Sequence, residues 1–89
     1  MYGLTSQLRR AVISVPANIV EGASRQHLRD YLNFLYIARG SLAETGYLLE
    51  LAQKLDYLPQ TEYLKIDLLR DNIAKTLYGL IDAVKKEVS

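Results

Sequence analysis

A proline in the middle of a helical period constrains this chain more than any other feature. Leu8, Val12, Val15 and Ile19 recur at spacings of four, three and four residues, which is one apolar stripe of an amphipathic helix. Pro16 falls inside that stripe. It has no N–H to give to the carbonyl of Val12, and its ring crowds the preceding turn, so a kink or local bulge is expected there. Thr5 or Ser6 is placed to cap the start, and Gly22 to stop the helix in the left-handed conformation. The first helix is therefore expected over about residues 4–21.

Two longer helices follow. The second is expected over about 25–56, with Ser24 as its N-cap. Leu28, Leu35, Leu42 and Leu49 fall at heptad spacing, with Tyr31, Ala38, Thr45 and Ala52 as companions. Leucine alternating with small residues lets a neighbouring helix approach closely. Gly40 and Gly46 each cost about 1 kcal/mol relative to alanine in a helix interior, so two of them point to contact with another backbone, the alternative being tolerated surface glycines. The third helix is expected over about 59–87, with Pro59 near its first position and Ile66, Leu69, Ile73, Leu77, Leu80 and Val84 as its buried stripe. Lys85 and Lys86 suit its C-terminal dipole. The connections are short and force antiparallel neighbours. The expected fold is all-α, an antiparallel up-down bundle of three helices forming one domain over 1–89. Reflection of the second helix onto the third about Tyr57 sets Glu44 opposite Arg70 and Glu50 near Lys65, while Glu21 lies close to Arg25 and Arg29.

Composition removes several classes of function. The chain has no cysteine, which excludes disulfides, thiolate nucleophiles and Cys-based metal sites together. No apolar run reaches the roughly 18 residues of a membrane span. Arg9 and Arg10 precede a short apolar stretch, but Pro16, Asn18 and Glu21 spoil a signal-peptide reading, and a cytoplasmic protein is expected. The net charge is +1, too balanced for a wholly cationic nucleic-acid domain. It is unevenly spread, though. Residues 1–43 hold five arginines against two acids, and residues 44–89 hold six basic and eight acidic side chains.

Catalytic chemistry is not expected. His27 is the sole histidine and reads as a solvated surface residue, and Ser24 beside it is accounted for as a cap. One histidine with no converging carboxylates makes no metal site, and scattered single glycines make no phosphate-cradling loop. Neither cofactor nor metal is expected. Two surface constellations remain. Arg9 and Arg10 project from the polar side of the first helix, placed to grip RNA or DNA phosphates, to meet acids of an adjoining subunit, or to be solvated. On the second helix Arg25, Arg29, Tyr36, Gly40, Ala43 and Tyr47 share one face. Arginine and tyrosine suit a protein interface, the favoured reading; a surface that holds phosphates and stacks bases comes second, and a solvated face last. Asn18 and Glu21 are polar residues beside the proline irregularity, and Asn18 is placed to bond a carbonyl that Pro16 frees or one across the turn.

The stretch from Tyr2 through Arg9, Arg10 and Val15-Pro16-Ala17-Asn18-Ile19-Val20-Glu21-Gly22, with Ala38-Arg39-Gly40-Ser41-Leu42-Ala43-Glu44 further on, resembles the bacterial four-helix-bundle family encoded by intervening sequences of 23S rRNA genes. The resemblance covers essentially the whole chain and adds Arg39, Ser41 and Glu44 to the residues of interest. It implies a helix ahead of residue 4 that this chain lacks, Met1 then being an internal methionine taken as the start. It also implies ring-like homo-oligomers, commonly pentamers, and ribonucleoprotein settings. Related accessory proteins of diversity-generating retroelements bind a reverse transcriptase and nucleic acid through basic ring surfaces. Without the extra helix, either an apolar groove stays uncovered, the favoured expectation, or the kinked first helix closes a small bundle by itself. The function expected is that of a non-catalytic scaffold that self-associates and binds a protein or ribonucleoprotein partner, with sequence-nonspecific nucleic-acid contacts. The alternative is a pure protein-interaction module whose groove accepts a partner helix.

Overall fold

The computed structural model describes residues 2–88. Met1, read above as an internal methionine, lies outside them. Within them the chain forms three α-helices, α1 (Tyr2–Ala23), α2 (Leu28–Lys54) and α3 (Gln60–Val88), joined by short turns. The all-α, up-down architecture is as expected; several boundaries and caps are not.

α1 begins at Tyr2, so Thr5 and Ser6 lie inside it rather than capping it. The apolar period extends further upstream than the stripe read from Leu8: Leu4, Leu8, Ala11 and Val15 repeat at 4-3-4, with Ala11 fully buried and Val15 nearly so. Val12, placed on the stripe above, is 48% exposed. α1 runs through Pro16 without a break in helical assignment.

Gly22 does not stop α1. No glycine among the described residues has a positive φ, and the helix continues to Ala23. A Cβ on Gly22 would lie 2.7 Å from Phe34 Cβ and 2.9 Å from Tyr31 Cδ1, so the missing side chain lets α1 lie close against the first turns of α2. Ser24 closes α1 instead of capping α2, its hydroxyl donating to the Glu21 carbonyl at 2.7 Å. The residue preceding α2 is His27, in extended conformation and without a side-chain cap bond.

α2 ends at Lys54, two residues short of Asp56. The Asp56 N–H bonds the Gln53 carbonyl at 3.1 Å and the Tyr57 N–H bonds the Ala52 carbonyl at 2.9 Å. With Asp56 at φ 62°, this is a Schellman turn made without glycine. Pro59 sits just ahead of α3, where its carbonyl accepts the Tyr63 N–H at 2.9 Å.

The core is built around Val15 of α1, Leu32, Leu35, Ala38 and Leu42 of α2, and Leu77, Ile81 and Val84 of α3. The heptad seam is buried at Leu35, Leu42 and Leu49, but Leu28, the first residue of α2, is 43% exposed. On α3, Leu77 and Val84 are buried as expected, together with Ile81, which the stripe had omitted. Ile66, Leu69 and Ile73 are exposed. The reason is topological. α1 and α3 each pack on α2, but among the described residues no Cα of α1 lies within 8 Å of a Cα of α3.

The register between α2 and α3 also differs. Arg70 crosses Gly46 and pairs with Asp67, not Glu44. The reflection centre is thus nearer Leu58 than Tyr57. Glu44 faces α1 and accepts from Arg10 at 3.0 Å, and Glu50 pairs with Lys54 at 2.9 Å within α2 rather than with Lys65. The Glu50 carboxylate, by hydrogen bond and by charge, holds the Lys54 ammonium above its ordinary pKa.

Candidate functional site

Two helices packed side by side on a third, with their backbones held apart, leave a furrow. Val12, Pro16 and Ile19 of α1 form one wall, Ile66, Leu69 and Ile73 of α3 the other, and Leu42, Thr45 and Leu49 of α2 the floor of a cavity of about 430 Å³. Sharing Ile19, Leu69 and Ile73, it continues toward Thr76 and Leu80 as a further 460 Å³ or so. In the other direction, past Leu49 and Ile66, it reaches Leu4, Leu8 and Tyr57 with about 180 Å³ more. From Ile66 to Leu80 the groove follows about 21 Å of helix. Leu69 is 63% exposed, Ile73 49% and Val12 48%, side by side rather than scattered. A contiguous open apolar surface of this kind marks an interaction site. The uncovered groove, the favoured expectation above, is therefore present.

The polar residues singled out from the sequence divide into structural and unengaged groups. Asn18 Nδ2 donates to the Ser14 carbonyl at 2.7 Å and to Ser14 Oγ at 2.9 Å. The carbonyl it meets is thus Ser14's, not the Val12 carbonyl that Pro16 deprives of a donor. Ser14 Oγ in turn lies 2.8 Å from Ser41 Oγ, across the α1–α2 interface. Thr45 Oγ1 donates to the Ser41 carbonyl at 2.9 Å, which satisfies the one buried polar side chain of the core. Ser14 was missed in the sequence because a serine within an apolar stripe is indistinguishable from a solvated one until the facing helix is placed.

Of the arginines, three are held by carboxylates, Arg70 by Asp67 as described above. Arg10 pairs with Glu44. Arg25 pairs with Glu21 at 2.6 Å and lies over the Phe34 ring at 4.8 Å. Because α2 begins at Leu28, Arg25 precedes the helix and does not share the face with Arg29 that a spacing of four had implied. Arg29, Tyr36, Gly40, Ala43 and Tyr47 do follow the outer face of α2, and Tyr47 is 65% exposed. Arg39 lies over the Tyr36 ring at 4.8 Å and over the Tyr78 ring of α3 at 6.0 Å. No carboxylate lies within ion-pair distance of Arg9, Arg29 or Arg39 among the described residues. Neither α2 glycine meets another backbone, and Gly40 fits the surface alternative. Gly40 faces open space, and Gly46 is approached by the Arg70 side chain rather than by a backbone.

No three metal-ligating side chains cluster among the described residues, and no helix among them is long and apolar enough to cross a membrane. His27 is exposed, at the start of α2.

No curated protein matches the chain. Among solved structures it is similar to a Bacteroides thetaiotaomicron protein of unknown function from the S23 ribosomal protein family. The two share 33% identity and a TM-score of 0.84, over 88% of this chain and 72% of that one. The family model for the 23S rRNA-intervening sequence protein matches residues 1–79. With both helix pairs and nine-tenths of its length accounted for by these matches, the chain belongs to the 23S rRNA-intervening sequence protein family.

Proposed function

We propose that this chain is a non-catalytic helical scaffold whose groove between α1 and α3 binds an amphipathic helix of a protein partner. The observation that carries this reading is the continuous apolar furrow from Leu8 to Leu80, open along its length and bounded by two helices that run in the same direction. A helix laid between them completes the four-helix layer with ordinary ridge-into-groove contacts. Arg9 shares a helix face with Val12 and Pro16, and Lys65 with Leu69 and Asn72, so both rims carry a cation. The fitting partner therefore carries acids beside its apolar stripe.

The test uses a peptide taken from the part of the Bacteroides protein that lies outside the match. At a concentration about 100-fold above its dissociation constant, binding stabilises the fold by about 2.7 kcal/mol, a rise of at least 10 °C in melting temperature for a domain of this size. Leu69→Asp/Ile73→Asp removes the rise. An unchanged melting temperature for the parent chain sinks the reading.

A second reading, sequence-nonspecific nucleic-acid contact, is favoured by one observation: Arg9, Arg29 and Arg39 have no carboxylate partner. It predicts RNA binding that falls steeply with salt and falls again in Arg9→Glu/Arg29→Glu. Salt-insensitive binding would contradict it. Self-association belongs to the same scaffold reading. Light scattering during gel filtration over a concentration series tests it, a discrete ring supporting it and a clean monomer opposing it.

A further inference from the structure

Beside the groove, and sharing Arg70 with it, two arginines from different helices line one small concavity. Arg39 and Ala43 of α2 and Arg70, Ala74 and Tyr78 of α3 surround a space of about 40 Å³. We propose that this cleft binds a phosphate group, held jointly by the Arg39 and Arg70 guanidiniums.

Arg39 is held in place by aromatic rings, and Arg70 by one carboxylate and by the space above Gly46. The Arg39 guanidinium lies over the rings of Tyr36 and Tyr78, at 4.8 and 6.0 Å. A guanidinium stacked in this way has already lost much of its freedom, so a ligand has less ordering to impose. The position of Arg70 depends on Gly46. A Cβ there would come within 2.8 Å of Arg70 Nε and 2.9 Å of Cζ. A glycine in mid-helix, unfavourable by propensity, thus makes room for a guanidinium rather than for a backbone. Arg70 Nε donates to Asp67 Oδ1 at 2.7 Å, and the side chain is only 23% exposed. That bond occupies one edge of the fork and leaves the terminal nitrogens for a ligand.

The charge count is unbalanced. Two guanidiniums meet at the cleft and a single carboxylate, Asp67, is paired there, while the neighbouring Asp71 is turned to Lys75 at 3.4 Å. An oxyanion is the missing partner. Its geometry favours a phosphate group over a carboxylate. Oxygens directed tetrahedrally can meet forks arriving from two helices at once, whereas one planar carboxylate is filled by a single bidentate arginine. The cleft has room for roughly two or three water-sized centres, the size of the oxygens of such a group.

The cleft shares Arg70 with the groove, so the test reads anion binding at the two guanidiniums and not helix binding in the groove. The Nε–H resonances of Arg39 and Arg70 are followed by NMR at constant ionic strength as inorganic phosphate, a nucleoside 5′-monophosphate or a short single-stranded RNA is added, with chloride as the control. Expected are saturable shifts at both arginines and at least a tenfold weaker affinity in Arg39→Gln. The decisive variant is Gly46→Ala. It keeps every charge, favours the helix, and displaces only the Arg70 guanidinium, and it is also expected to weaken binding at least tenfold. A melting curve confirms that it folds. Equal affinity for the mononucleotide and the RNA identifies a free phosphorylated ligand. RNA binding at least tenfold tighter, and lost in Gly46→Ala, identifies a nucleic-acid backbone. Absence of saturable shifts with all three probes overturns the site, as does undiminished binding in Gly46→Ala.

Discussion

The seam between α1 and α2 and the groove between α1 and α3 use the same chemistry to opposite ends. Both are lined by apolar residues at helical spacing, and α1 supplies a wall to each. At the seam the residues that meet α2 are small or fitted: Ala11 is fully buried, Ala38 likewise, and Gly22 has no room for a Cβ. Such contacts let two backbones approach and close the interface, and the Asn18–Ser14–Ser41 chain then satisfies the polar groups trapped inside it. At the groove the residues are large and branched, Val12, Ile19, Leu69 and Ile73, and among the described residues no Cα of α3 comes within 8 Å of a Cα of α1. Large side chains on helices held apart are shaped to receive something between them. The difference teaches that residue size within an apolar stripe separates a closed helix interface from an open groove.

The sharpest way to break this contrast is to truncate one leucine on each side. Leu35 is completely buried, so Leu35→Ala should lower unfolding stability by about 2–5 kcal/mol. Leu69 is 63% exposed, so Leu69→Ala in the isolated chain should stay within about 0.5 kcal/mol of the parent. Urea unfolding measures both. Equal losses would mean that the groove is closed in solution, by collapse or by self-association.

Two glycines sharpen the contrast next, because alanine should act with opposite signs. At Gly22 the added Cβ meets Phe34 and Tyr31 below 3 Å, and Gly22→Ala is expected to destabilise by about 1–3 kcal/mol through overpacking. At Gly40 nothing lies within 4 Å, and Gly40→Ala should stabilise by up to about 1 kcal/mol through helix propensity alone. Thermal melts of the pair read the sign directly. Stabilisation by both would show that α1 stands off from α2 more than its packing implies.

These positions also mark what was legible in the sequence. Period told where apolar faces lie, so three helices and the buried run Leu35, Ala38, Leu42, Thr45, Leu49 and Ala52 could be read before any coordinates. Period does not tell which face meets which neighbour, and hence Leu69 and Ile73 were assigned to a core that does not reach them. Gly22 was taken for a helix stop since a glycine that permits positive φ and one that permits close approach look identical in one dimension. Ser24 was taken for a cap on the same kind of evidence, although its hydroxyl turns back to Glu21. Glu44 was paired across the α2–α3 turn because a reflection about that turn cannot show that its side chain faces α1, where Arg10, 34 residues away, donates to it. Of the candidate binding residues, the carboxylate partners of Arg10 and Arg25 became visible only once the helices were placed. The pairing of Arg39 with Arg70 needed both the register and the space above Gly46.

The polar chain across the seam gives a smaller effect. Ser14→Ala removes the bond to Ser41 and one of the two acceptors of Asn18. A loss of about 1 kcal/mol is expected, since these groups are only part-buried and Asn18 keeps the Ser14 carbonyl. The double variant Ser14→Ala/Ser41→Ala should cost less than the sum of the singles, as each already leaves the same bond broken. Strict additivity would show that the two hydroxyls do not bond one another.

The smallest effect belongs to the ion pair at the edge of the same seam. Arg10 and Glu44 meet at 3.0 Å, but their side chains are 63% and 40% exposed. Charges this open to water are worth about 0.2–1 kcal/mol as a pair. Glu44→Gln should therefore change stability by less than about 1 kcal/mol at low salt, and by nothing measurable at 1 M, where the screening length is about 3 Å. The same variant separates the structural from the functional side of α1. If Arg10 acts only in the seam, releasing it from Glu44 leaves RNA affinity unchanged. If it belongs with Arg9 on a phosphate-binding face, its release strengthens binding at low salt, and the boundary between closed seam and open surface moves one residue toward α2.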